Sequence, residues 1–229
     1  MNHMPNLLDR LVGLYAPHTC IGCDIEGTVF CEQCVSSLLV PVACCYRCGK
    51  SSAYGRTCRE CRVESLLVSV NCATLYAEPA KSLIWRLKFD RAQAAAEVMG
   101  RRLAELYGPL LRDDVLVVPV PTAGRRIRAR GYDQAVLIAR AFAKHSGLTY
   151  APLLSRWGSQ EQKGADSQQR RTQLRGAFRA ARPAKIAGQR IMLIDDVITT
   201  GSTLEEAATV LKHHGVRSIA AMVFARVRK

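Results

Sequence analysis

The sequence predicts a doubly wound α/β fold: an open, mostly parallel sheet with helices on both faces, preceded by a small cysteine-rich module. Three observations carry this expectation. From residue 68 onward, short β-branched or apolar runs alternate with helical stretches. The apolar run Ile191 to Ile194 meets Asp195 and Asp196 at once, and a loop of small hydroxyl residues then leads into a helix. Nine of the ten cysteines fall between residues 20 and 61.

Composition bounds what the chain can do. Its 229 residues allow one large domain, or a medium domain with a small module attached. Apolar residues make up 48%, enough for a real core, which excludes general disorder. Thirty-three Lys and Arg against nineteen Asp and Glu give +14, a balance that favours phosphate esters, nucleic acid or an acidic membrane face. No apolar stretch approaches the roughly 18 residues of a membrane span. Asp9 and Arg10 interrupt the only apolar patch near the start, Leu7 to Tyr15, and no small-residue cleavage site follows. A cytoplasmic location is therefore expected.

Eight cysteines form four Cys-x-x-Cys pairs: Cys20/Cys23, Cys31/Cys34, Cys45/Cys48 and Cys58/Cys61. A tight turn aims both sulfurs of a pair at one point, and two such turns supply the tetrahedral thiolates that zinc prefers. Gly22 lies inside the first pair and Gly49 just after the third, where such turns want glycine. The pattern predicts a double zinc ribbon over about residues 18–62, holding two structural zinc ions. Sequential pairing is expected, with interleaved pairing the alternative that spacing leaves open. A redox Cys-x-x-Cys occurs singly beside a βαβ unit rather than four times in a row, which disfavours a redox role. Cys44 and Cys72 lie outside the pattern and read as plain small residues. With little apolar content, the module would draw much of its folding energy from the metal. It is assigned to residues 1–65, and the α/β domain to residues 66–229.

Within the second region, Val68 to Tyr76 reads as a strand, and Pro79 to Lys88 and Ala92 to Tyr107 as helices. Val115 to Pro119 is a β-branched run that suits a buried strand, and Arg125, Arg126, Arg128 and Arg130 then fall in the loop after it. Gln134 to His145 is helical, with Gly147 as its stop. Tyr150 to Leu154 reads as a further strand. Trp157 to Gln173 is almost devoid of apolar residues and reads as a long mobile loop. Ile191 to Ile194 is a buried strand, Thr203 to His214 a helix ended by Gly215, and Ser218 to Ala225 the last strand.

The chemistry concentrates after Ile194. Ligands of open α/β sheets bind at the carboxyl ends of strands. Helix N-termini hold phosphate through free N–H groups and the positive end of the dipole. Thr199, Thr200, Ser202 and Thr203 add hydroxyls, and Gly201 lets the backbone approach closely. Ser202 and Glu205 also fit a capping box, which is the purely structural reading of those positions. Asp195 and Asp196 would repel a phosphate in contact but would accept hydrogen bonds from the vicinal hydroxyls of a pentose. A sugar 5-phosphate would then span the site. Neither a P-loop nor a Gly-x-Gly-x-x-Gly fingerprint is present.

These thirteen residues, Ile191 to Thr203, resemble the phosphoribosyl-pyrophosphate (PRPP) signature of type I phosphoribosyltransferases. The whole chain resembles the ComF family, including its GntX-type members, in which an N-terminal zinc module precedes a phosphoribosyltransferase domain. Val118-Pro119-Val120-Pro121-Thr122, then Arg130-Gly131-Tyr132-Asp133-Gln134, resemble the family's first loop. Gln162-Lys163-Gly164, Arg170-Arg171 and Arg175-Gly176-Ala177-Phe178 resemble its mobile loop, with departures at Ala165 and Gln173. The resemblance implies PRPP with Mg²⁺ as the ligand. It implies that Asp195 and Asp196 hold the ribose and stabilise developing positive charge, and that Val197 and Thr199 to Thr203 line the phosphate end. It further implies backbone contacts to pyrophosphate from Pro121, Thr122 and Ala123, and loop closure by Arg170 and Arg171. Lys88, in Leu87-Lys88-Phe89, is a further candidate for neutralising diphosphate.

Three functions compete on these residues. One is an enzyme that transfers phosphoribosyl to an unidentified acceptor. A second is a competence or DNA-uptake protein, as the resemblance implies, whose basic loops would track single-stranded DNA, with other competence proteins as candidate partners. The aromatic content of 6% gives little support to a dedicated stacking platform. A third is a PRPP sensor without turnover.

Overall fold

A computed structural model of the chain describes residues 19–157 and 176–228. A five-stranded parallel sheet forms its centre, in the order β1-β7-β6-β2-β3. The strands are β1 (Leu67–Leu75), β2 (Val115–Pro119), β3 (Thr149–Tyr150), β6 (Arg190–Ile198) and β7 (Ser218–Arg226). The short strands β4 (Leu154–Arg156) and β5 (Phe178–Ala180) pair antiparallel as a separate ribbon. The strand expected over Tyr150 to Leu154 is thus divided between the sheet and the ribbon. Pro152 lies at the break and offers no N–H to a ladder.

Seven α-helices are described. Two are short and follow cysteines: α1 (Glu32–Ser36) and α2 (Arg59–Arg62). Then come α3 (Ala80–Phe89), α4 (Ala94–Tyr107), α5 (Gly124–Arg130), α6 (Gln134–Ser146) and α7 (Ser202–His213). The arginines at 125–130, expected in a loop, lie on α5. Its ends are Gly124 and the left-handed Gly131, a pattern that reads as loop in sequence but here brackets two helical turns.

Both faces of the sheet are covered. On one, Met192, Ile194, Met222 and Phe224 pack with Leu83 and Leu87 of α3, Met99 and Leu103 of α4, and Ile138 and Phe142 of α6. On the other, Ile191, Leu193, Ala221 and Val223 pack with Leu204, Ala207 and Leu211 of α7. This alternation along β6 is the period of two that a buried strand requires. Among the described residues, no helix is long and apolar enough to cross a membrane.

The strand expected to end at Ile194 continues to Ile198. Asp195 pairs in register with Val223, and Val197 with Ala225. The two aspartates therefore lie within the last turns of the pleat, where consecutive side chains leave on opposite faces.

Candidate functional site

The cysteines form two groups. Cys20, Cys23, Cys31 and Cys34 make one and Cys45, Cys48, Cys58 and Cys61 the other, with the ligand atoms of each group within 4.8 Å of one another. The pairing is sequential rather than interleaved. Sulfur separations of 3.7 Å for Cys20–Cys34 and 3.6 Å for Cys23–Cys31 and Cys48–Cys58 match the edge of a ZnS₄ tetrahedron, about 3.8 Å from a Zn–S bond of about 2.3 Å. The leading cysteine of each group is poised as a thiolate. Burial opposes ionisation of Cys20, but N–H groups of Cys31, Gly22 and Cys23 outweigh it and bring the thiol down to about 6. Cys45 is likewise brought to about 6, against burial, by N–H groups of Cys48, Cys58 and Arg47. Both groups can hold zinc.

The first knuckle packs on the core. Cys20, Phe30, Cys34 and Leu38 join the cluster that contains Leu83 and Leu87. Gly22 is required there, because a Cβ would fall 2.6 Å from Cys34 Sγ and 3.1 Å from Pro79 Cβ at the start of α3. The second knuckle is bonded to β1 and to the C-terminal strand. Thr57 donates through N and Oγ1 to Val68 O and Leu67 O, at 3.0 and 2.7 Å. Arg226 of β7 lies with Nη1 2.7 Å from Cys44 Sγ and donates through Nη2 to Tyr46 O at 3.4 Å. Cys44 is therefore more than the space-filler that sequence suggested.

The acidic pair lies toward the carboxyl end of β6, where Ile198 pairs in register with Arg226. The Asp196 amide donates to Asp195 Oδ1 at 2.8 Å. Asp196 Oδ2 meets Lys88 Nζ, from the last turn of α3, at 2.7 Å, and both side chains keep some exposure. Burial, and next the charge of Asp196, push the Asp195 carboxyl well above the usual carboxylate range. Lys88 and Asp196, expected to serve different parts of one ligand, are thus in direct contact.

The chain after Ile198 turns sharply. Gly201 adopts φ +83°, and its Cβ position is closed by the Tyr46 ring, 2.6 Å away at Cε2. Thr200 Oγ1 and Ser202 Oγ are 2.8 Å apart, and both residues lie at the mouth of α7. The capping box does not form. Ser202 is already helical, and the Glu205 carboxylate accepts hydrogen bonds from Tyr46 Oη and from Leu66 N, the latter at 3.2 Å. With Glu205 engaged elsewhere, the hydroxyls of Thr200 and Ser202 stay at the open end of the helix.

The neighbouring 121–123 segment is held from behind. Asp133 accepts from Thr122 N at 2.8 Å and from Thr122 Oγ1 at 3.0 Å, and it caps α6 through Ala135 N at 3.0 Å. Its backbone amide at Thr122 is therefore already used within the protein, Pro121 has no N–H to offer, and the Ala123 carbonyl accepts from Arg126 N and Ile127 N at 2.8 and 3.2 Å. Arg130 stacks over Phe89 at 5.3 Å. Burial and then Arg126 lower its basicity, while the charge of Asp196 opposes that shift. The exposed Trp85 ring lies 5.7 Å from Phe89.

Arg170 and Arg171 lie outside the described residues, as do Gln162 to Gly164, Ala165, Gln173 and Arg175. The described ends of that stretch meet where Trp157 N donates to Ala177 O at 2.8 Å, and Gly176 N donates to Glu206 of α7 at 2.7 Å. Arg179 stacks on Trp157 at 4.1 Å.

A cavity of about 1200 Å³ lies elsewhere, against β1 and mainly the N-terminal ends of β2, β6 and β7. It is lined by Arg56, Arg112 and Arg190 among others and shares no residue with the acidic pair or the 199–203 loop.

Sequence reasoning missed Tyr46 and Glu205. The only signal was an aromatic residue inside a Cys-x-x-Cys turn and a glutamate in the first turn of a helix, each with an ordinary local explanation.

Comparison with known proteins finds the phosphoribosyl transferase domain over residues 88–229. The chain is 29% identical over 218 residues to competence protein F of Haemophilus influenzae, covering 90% of each chain. It is 28% identical over 208 residues to the DNA utilization protein YhgH of Salmonella typhimurium, covering 82% of this chain and 86% of that one. It is 28% identical over 196 residues to competence protein ComFC of Bacillus subtilis, covering 81% and 78%.

Proposed function

The chain belongs to the phosphoribosyl transferase domain family, and from that premise we propose that it binds PRPP at the carboxyl end of β6. The ribose hydroxyls would donate to Asp195 and Asp196, and the 5-phosphate would sit against Thr199 to Thr203 and the N-terminus of α7. The observation that carries this reading is the succession along one stretch of chain. Two carboxylates in the last turns of a buried strand are followed by a left-handed glycine turn and then by hydroxyls at a helix mouth. Such an order matches a ligand with hydroxyls at one end and a dianion at the other.

Lys88 pairs with Asp196, and with Arg130 it would supply positive charge for the diphosphate. Opening of the Lys88–Asp196 pair on binding would free both groups, the carboxylate for a ribose hydroxyl and the ammonium for a diphosphate oxygen. The hard oxygen donors of Asp195 and Asp196 also suit Mg²⁺, which would neutralise diphosphate charge when bound. In transfer, the bond from ribose C1 to the diphosphate oxygen breaks and a bond from C1 to the acceptor's nucleophilic atom forms. The acceptor gives up a proton, and the Asp196 carboxylate would stabilise the positive charge that develops on the ribose.

A second reading has its own observation. Trp85, Phe89 and Arg130 form an exposed aromatic and basic edge beside Lys88, of a kind on which bases of a single strand can stack. The named roles of the relatives in competence and DNA utilization favour it. A PRPP-binding protein in DNA uptake would satisfy both readings, and one that binds PRPP without consuming it would be a sensor.

Titration of PRPP with Mg²⁺ into wild type and Asp195→Asn tests the first reading, together with a pyrophosphate-release screen over nucleobase acceptors. Saturable binding that weakens at least tenfold in Asp195→Asn is expected. Unaltered binding in the variant would remove the aspartates from the site.

A further inference from the structure

We propose that Tyr46, inside the first Cys-x-x-Cys turn of the second knuckle, is a positioning residue for the 199–203 loop, so that ligand affinity there depends on whether Cys45, Cys48, Cys58 and Cys61 hold their metal. The proposal rests on the reading that this loop takes the 5-phosphate.

The knuckle reaches Gly201 of the loop and Glu205 just beyond it. Tyr46 is 2% exposed, and its hydroxyl donates to Glu205 in the first turn of α7. Ser65 Oγ lies 2.9 Å from the same hydroxyl. The second Glu205 oxygen accepts from Leu66 N, immediately after the knuckle, at 3.2 Å. The Tyr46 ring closes the space beside Gly201, where a Cβ would stand 2.6 and 2.9 Å from its carbons. Arg47, the next residue, has Nη1 4.0 Å from Glu205 and is paired with Glu64 at 2.6 Å. The Glu205 amide in turn donates to Gly201 O at 3.0 Å. The carboxylate that the knuckle grips is thus on a residue that itself fixes the glycine of the turn.

The metal decides whether this grip is rigid. Backbone bonds close the Cys45 turn upon itself, with Cys45 N to Lys50 O at 2.8 Å and Gly49 N to Cys45 O at 2.9 Å. Cys58 and Cys61 arrive from a separate segment at α2. A bound ion links the two segments through four bonds. Without it, the Tyr46 turn is held to residues 58–61 by the intervening chain and the exposed Lys50–Glu60 pair, and the side of the loop it packs against loosens. The first knuckle abuts Pro79 and the α3 core instead. Coupling between two binding events is reciprocal, so PRPP bound at the loop must also slow or weaken loss of metal from the second knuckle.

The test uses the full chain with both metals loaded. PRPP with Mg²⁺ is titrated into wild type, Tyr46→Ala, Tyr46→Phe, Cys58→Ser and Cys31→Ser. At least tenfold weaker binding is expected in Tyr46→Ala and Cys58→Ser. Tyr46→Phe keeps the ring against Gly201 and recovers most of the affinity lost in Tyr46→Ala, and Cys31→Ser stays within threefold of wild type. Equal losses in Cys58→Ser and Cys31→Ser, or no loss in Tyr46→Ala, would overturn the proposal.

Two further readouts separate its failure from that of the ligand reading. Amide hydrogen exchange at residues 199–205 is followed without any ligand. Faster exchange in Cys58→Ser than in Cys31→Ser supports the coupling even if wild type never binds PRPP, and equal rates refute it. Should Cys58→Ser fail to fold, chelator-driven metal release from wild type decides. Protection of one of two metals by PRPP supports the proposal, and release unchanged by PRPP in a protein that binds it refutes it.

Discussion

The two cysteine knuckles share ligand type and spacing logic but differ in what they touch. The first buries Cys20, Cys34, Phe30 and Leu38 in the apolar cluster under α3. The second presents Tyr46 and Arg47 to Glu205 and Gly201 through polar contacts and one aromatic ring. An apolar interface supports the fold with little directional information, whereas a hydrogen-bonded carboxylate fixes a position. On the proposed reading, the same module serves stability through one knuckle and site geometry through the other.

Breaking the core beneath the first knuckle gives the largest change. Leu83 is fully buried in α3, and Leu83→Ala is expected to lower the unfolding free energy by about 2–5 kcal/mol in a denaturant titration. Affinity at the 199–203 loop in the remaining folded protein should change far less.

A matched pair of glycine changes sharpens the contrast. Gly22→Ala drives a methyl onto Cys34 and Pro79, and Gly201→Ala drives one onto Tyr46 in a backbone with φ +83°. Each should cost about 1–3 kcal/mol of stability by thermal unfolding, as overpacking does. Only Gly201→Ala should also weaken PRPP binding at least tenfold. Equal effects on binding would erase the distinction between the knuckles.

The smallest effect concerns Asp195, where site and stability oppose each other. Its carboxyl is raised in the folded protein by burial and by Asp196. The unfolded chain therefore gives up that proton more readily. The contribution to stability is present below the ordinary carboxylate range and is lost as pH rises through it toward the raised folded value. Asp195→Asn avoids this loss, so its melting temperature relative to wild type should climb between pH 5 and pH 8.5. A gap that stays flat or narrows over that range would show that Asp195 carries no such cost.

Much of this was legible in the sequence because the signals were local. The β-branched run Val115 to Pro119 became β2 with those bounds, and four Cys-x-x-Cys turns closed on two centres. What was illegible depended on partners far along the chain. Charge at Asp195 and Asp196 made β6 look finished at Ile194, yet pairing with Val223 and Ala225 of β7 carries it on to Ile198. Arginines between Gly124 and Gly131 looked like loop because their helix is short and has no buried residue. Tyr46 and Glu205 meet across 159 positions, a separation at which neither periodicity nor spacing speaks.

The most direct test of the ligand site is amide hydrogen exchange on the wild-type protein with and without PRPP and Mg²⁺. Protection centred on residues 195–203, with a second stretch at 121–123, is the predicted footprint. Protection centred instead on the cavity at Arg56 and Arg190, or none at saturating PRPP, would contradict it.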